Sequence, residues 1–151
     1  MKKLIFGCLS ILGFGAVSCE ELAGGGNLDA YGTPYSVYKV SVRVVDGNGN
    51  PVPGIDVKGS NSTHSLATTN QDGYAAGQYY SYELMGYEEL QDVILTDADG
   101  EANGGDFETL TVNVSERFTK VNDGNGWCRG TYEAELGDVA MTLKENAILN
   151  E

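Results

Sequence analysis

From Tyr35 to Asp46 apolar and polar positions alternate strongly. Tyr38, Val40, Val42 and Val44 fall on one side, Lys39, Ser41 and Arg43 on the other. A period of two built on β-branched residues predicts a half-buried strand, because successive side chains of an extended chain point to opposite faces. Asp46-Gly47-Asn48-Gly49-Asn50 ends it, since Asp-Gly and Asn-Gly supply the positive-φ residues that tight reversals need. Further strands are predicted at Ile55–Lys58, Thr63–Thr69, Val93–Thr96, Phe107–Val114, Arg117–Val121, Thr131–Leu136 and Val139–Lys144, with a Gly137-Asp138 turn separating the last two. Only Tyr82–Gln91 carries helical character, through Leu84 and Tyr87. Short strands punctuated by turn signals predict an all-β, Greek-key sandwich, transthyretin-like or Ig-like, of about seven to eight strands. No amphipathic crossover helix exists for a parallel α/β fold.

The first residues follow a different pattern. Lys2 and Lys3 precede an apolar run from Leu4 to Val17 broken only by Ser10, and Ser18 and Cys19 follow. This is the n-region, h-region and small-residue cleavage site of a secretory signal, and the run is too short for a spanning helix. Ala16-Val17-Ser18-Cys19 resembles the bacterial lipobox, in which the cysteine is acylated and becomes the first mature residue. The chain therefore divides into a signal at 1–18, a lipidated Cys19 with a Gly-rich tether at 19–30, and a folded domain at 31–151. Gly24-Gly25-Gly26 gives the tether its flexibility. Glu20 and Glu21 resemble the surface-export signal of Bacteroidetes lipoproteins. The expected location is a bacterial cell envelope, anchored by lipid to the outer membrane and open to surface display.

Composition narrows the partners. With 9 Lys+Arg against 22 Asp+Glu the net charge is -13, and phosphate backbones repel such a chain, so nucleic acid is excluded. Cleavage removes Lys2 and Lys3 and deepens the imbalance. Cys8 leaves with the signal and Cys19 carries lipid, so Cys128 is expected as a single buried thiol, with modification as the alternative, and a framework of disulfides is not expected.

Two family resemblances bear on this. Tyr38 to Asp46, then Pro51-Val52-Pro53-Gly54-Ile55-Asp56-Val57 and Thr68-Thr69-Asn70-Gln71-Asp72-Gly73-Tyr74, resemble the carboxypeptidase-regulatory-like, or transthyretin-like, domain, with Asn70 in place of the usual Asp. That resemblance implies an accessory sandwich without catalysis. The lipobox, Tyr31-Gly32-Thr33-Pro34-Tyr35, the stretch Asp97 to Phe107, Gly126-Trp127 and Gly130-Thr131-Tyr132 together resemble the radical SAM-associated lipoproteins of Bacteroidetes. This resemblance implies a radical SAM enzyme as neighbour, with the lipoprotein as its substrate or partner.

Candidate chemistry is confined to two regions. Asp97, Asp99, Glu101, Asn103, Asp106 and Glu108 gather hard oxygens in one loop, a composition that suits Ca²⁺. Ala102 stands where an EF-hand needs Gly, and a β segment follows, leaving a non-EF calcium loop or a solvated turn. No cofactor is required otherwise. Tyr79, Tyr80, Tyr82 and Trp127 offer rings for a glycan-binding platform, or else for packing. His64 is the only histidine, so no histidine-centred triad or zinc site assembles around it. Cys128 lacks a local catalytic motif, and the chain is expected not to be an enzyme.

Overall fold

The computed structural model describes residues 32–82 and 89–145. The signal, Cys19, the tether and most of the Tyr82–Gln91 helical prediction lie outside the described residues. Eight strands follow in chain order: β1 Tyr35–Val45, β2 Ile55–Gly59, β3 Ser65–Thr68, β4 Tyr74–Tyr82, β5 Asp92–Asp97, β6 Leu110–Asn113, β7 Thr119–Asn122 and β8 Cys128–Ala140. They form two four-stranded sheets, ordered β4-β1-β8-β7 and β3-β2-β5-β6. The all-β sandwich expected from the periodicity is the fold.

The alternation of β1 becomes a division of labour. Tyr38, Val40, Val42 and Val44 enter the core, while Lys39 and Arg43 pair with Glu133 and Asp138 on the outer face. Ile55 and Val57 of β2, Val93 and Leu95 of β5, and Leu136 of β8 meet them from the same interior. Phe107 and Met141, outside the strands, close the core. Burying such apolar surface is the main favourable term of the fold.

Three strand expectations are corrected. β4 was not foreseen, because Ala75, Ala76 and Gly77 dilute its alternation, yet it pairs with β1 antiparallel from Tyr35↔Tyr82 to Arg43↔Tyr74. A side chain at Gly77 would collide with the backbone carbonyl of Leu66, so this glycine lets β3 approach β4 and close one side of the sandwich. The last two predicted strands are one. β8 runs parallel to β1 through both halves, from Tyr35↔Cys128 to Val45↔Ala140. Between Ser41↔Glu135 and Arg43↔Asp138 it carries an extra residue, with Gly137 at φ 67°. The predicted Gly137-Asp138 turn is thus a β-bulge, which bends a strand without reversing it. The strand predicted from Phe107 shrinks to β6, and Phe107 instead makes a bridge with Leu143.

The segments resembling the regulatory-like domain meet at one end of the sandwich. Thr69, only 5% exposed, accepts the Ile55 N–H at 2.9 Å through Oγ1 and donates the same hydroxyl to the Val52 carbonyl at 2.8 Å. Its backbone N–H donates to the Ile55 carbonyl, and its carbonyl accepts the Gly54 N–H. Asn70 Oδ1 accepts the Asp72 and Tyr74 N–H groups, a local turn that an Asn side chain forms as readily as Asp.

Candidate functional site

The acidic loop begins where β5 ends. Asp97 turns its carboxylate inward over the loop: Oδ1 accepts the N–H groups of Asp99 at 3.1 Å and Gly100 at 2.8 Å, and Oδ2 accepts the Phe107 N–H at 2.9 Å. The Asn103 amide donates to Asp99, and Asn103 itself takes a left-handed conformation, φ 54°. Lys144 reaches Asp106 at 2.6 Å, and this hydrogen bond raises the lysine pKa above its ordinary value. Backbone bonds from Glu108 N–H to the Thr142 carbonyl and from Lys144 N–H to the Asp106 carbonyl tie the loop to the chain beyond β8. Of the six oxygen-bearing residues, Asp97, Asp99 and Asn103 are brought into one network and Asp106 into a second, while Glu101 and Glu108 face solvent. The partners in these networks are N–H groups and a lysine. Among the described residues no three acidic, His or Cys side chains converge as a metal site. The loop chemistry visible here is that of a self-capped turn.

The tyrosine-rich segment divides by strand parity. Tyr79, 6% exposed, faces the core, so its expected place on a ligand platform is corrected: in β4 it points to the opposite face from Tyr80 and Tyr82. The latter two lie on the outer face beside Tyr35 of β1. Ring centroids are 6.1 Å apart for Tyr35 and Tyr80, 5.9 Å for Tyr35 and Tyr82, and 6.4 Å for Tyr80 and Tyr82. Gln78 Nε2 donates to the Tyr80 hydroxyl at 2.7 Å. Partial burial, followed by the neighbouring Tyr80 and Tyr82, raises the Tyr35 pKa. Tyr35 was missed by the sequence reading, although its parity with Val37, Lys39 and Ser41 marks it as outward-facing.

Trp127 stands at the same end of the sheet. Its carbonyl accepts the Tyr35 N–H at 3.0 Å, the residue is 48% exposed, and a Cβ on Gly32 would lie 2.7 Å from its Nε1. Val37 and Cys128 form a small apolar island beneath Tyr35 and Tyr80. Sheet pairing therefore brings Tyr35, Tyr80, Tyr82 and Trp127 to one end of the β4-β1-β8-β7 sheet, from three separate parts of the chain.

Cys128 is buried, 4% exposed, and it is disulfide-bonded. The expectation of a single thiol concerns the mature chain, from which Cys8 has left and in which Cys19 carries lipid. His64 sits on an exposed turn in which Ser62 Oγ bonds its backbone N–H, and the neighbouring Ser65 hydroxyl donates to Asp56. Among the described residues no helix is long and apolar enough to cross a membrane. Neither a protein-family model nor a curated protein matches the chain.

Proposed function

We propose that this chain is a non-catalytic, lipid-anchored β-sandwich lipoprotein of a bacterial cell envelope, held at the outer membrane through Cys19. The observation that carries the reading is Ala16-Val17-Ser18-Cys19 placed directly after the apolar run. The Gly-rich stretch after Cys19 and a sandwich whose β1 starts at Tyr35 agree with a domain carried on a tether. Stable anchoring follows from several acyl chains on one residue, since each buried CH₂ contributes ~0.8 kcal/mol. A radical SAM enzyme as partner, with this domain as its substrate or companion, rests on the sequence resemblance alone. Co-purification or a mass change in the presence of that enzyme tests it.

Metabolic labelling with an alkyne fatty acid tests the anchor. The wild-type chain is expected to take up label and enter the detergent phase, and Cys19→Ser to do neither. An unlabelled wild-type chain would overturn the proposal.

A second reading, a surface glycan-binding module, is favoured by the half-exposed Trp127 beside the tyrosine trio. Rings of this kind combine an apolar face with a polar edge, which is what a sugar ring requires. Glycan-array binding lost in Trp127→Ala would support it. An array without any binding would dismiss it.

A further inference from the structure

Three Asn-Gly pairs occur in the chain, at Asn48, Asn103 and Asn125. This dipeptide is prone to a self-reaction, because the glycine nitrogen, unhindered by a side chain, attacks the asparagine side-chain carbonyl. The folded structure treats the three very differently. Gly49 N–H donates to the Asp46 carbonyl at 3.0 Å, and Asn48 N–H donates to Asp46 Oδ1 at 2.8 Å, so nucleophile and asparagine are both held in the β1–β2 reversal. The Asn103 side chain is tethered to Asp99. Asn125 lies in the exposed β7–β8 loop, where its carbonyl accepts the Cys128 N–H at 3.1 Å and closes a four-residue turn. Gly126 is the second residue of that turn, at φ 58°. At this position the N–H points away from the turn. Among the described residues it meets no acceptor, and, as at Gly49 and Gly104, nothing lies within 4 Å of where a side chain would begin.

We propose that Asn125 is a site of spontaneous deamidation in the folded protein, the most reactive of the three. The Gly126 nitrogen forms a bond to the Asn125 side-chain carbonyl carbon, its proton leaves with the side-chain nitrogen as ammonia, and a succinimide ring results. Water then opens the ring at either carbonyl to give aspartate or isoaspartate. The balance is one water consumed and one ammonia released, with no change of oxidation state. The product places a new carboxylate between Asp123 and Trp127. As isoaspartate it also lengthens the backbone of the turn that presents the Trp127 ring.

Incubation of the full chain in heavy-oxygen water at mildly alkaline pH, followed by peptide mapping, tests the proposal. Label is expected to accumulate at Asn125 several-fold faster than at Asn48 or Asn103. Unfolding the chain in denaturant is expected to bring the three rates together, because their protection comes from the fold. Asn125→Gln is expected to remove the fast phase and leave the other two unchanged. Labelling of Asn48 or Asn103 as fast as Asn125 in the folded chain would overturn the proposal, as would rates that already differ by the same ratio in denaturant.

Discussion

Thr69 gives the account of the fold a sharp test, because two of its replacements rank oppositely under packing and under hydrogen bonding. Its hydroxyl is the partner of both the Ile55 N–H and the Val52 carbonyl, at 2.9 and 2.8 Å, and both residues are buried. Thr69→Val keeps the volume and branching but strands a buried donor and a buried acceptor. Each such group costs about 1–3 kcal/mol, and since the two share one partner a combined loss of about 2–4 kcal/mol is expected. Thr69→Ser keeps the hydroxyl and removes a methyl group, for about 1 kcal/mol. Urea unfolding followed by circular dichroism reads the difference as a shift in midpoint. With a slope of roughly 1–3 kcal/mol per M, the valine variant is expected to unfold at roughly 1–2 M less urea than wild type and clearly below the serine variant. A valine variant as stable as serine, or more stable, would refute the claim that this hydroxyl joins the β2 entry to the turn after β3.

Other residues test separate parts of the structure. Asp97→Asn places an amide donor against the Phe107 N–H that Oδ2 now accepts at 2.9 Å, and a loss of about 1–3 kcal/mol in thermal unfolding is expected, equal with Ca²⁺ and with chelator. A wild-type melting temperature that rises with Ca²⁺ would instead assign the loop a cation. Gly77→Ala sets a Cβ against the Leu66 carbonyl. Because backbone cannot swing aside, a cost of about 1–3 kcal/mol is expected, with faster amide exchange in β3. Tyr38 has its pKa raised above the ordinary 10.0, by burial first and by Glu89 second. The protonated phenol is therefore the form the fold favours: its contribution is complete below the unfolded pKa and declines as pH rises beyond it. Alkaline unfolding curves are expected to steepen above about pH 10, and Tyr38→Phe to flatten them in that range while lowering stability at neutral pH.

Local pattern made some of this fold legible and long-range pairing decided the rest. The β1 alternation sufficed to name Val40, Val42 and Val44 as core, since every position repeats the same signal. β4 carried no such signal, because its inward Ala75 is small and Gly77 has no side chain to pattern. Its identity as a strand depends on β1 lying alongside. Once that pairing is known, parity alone sends Tyr79 inward and Tyr80 and Tyr82 outward. Gly137-Asp138 reads equally as a turn or a bulge, and the parallel register with β1 selects the bulge. In the acidic loop the spacing of oxygens was visible, but the direction of each carboxylate was not. Asp97 is committed to the Phe107 N–H, ten residues further along the chain, a contact that only the closed loop creates. Trp127 could be seen as exposed from its Gly-rich surroundings, whereas its place beside Tyr35 required the β1–β8 register.

The most direct test of the lipoprotein reading is the mass of the N-terminal peptide of the mature chain recovered from envelope membranes, digested without reduction. The account predicts a peptide beginning at Cys19 with a diacylglyceryl thioether on its sulfur. A mature chain beginning elsewhere, or a Cys19 peptide recovered without lipid, would contradict it.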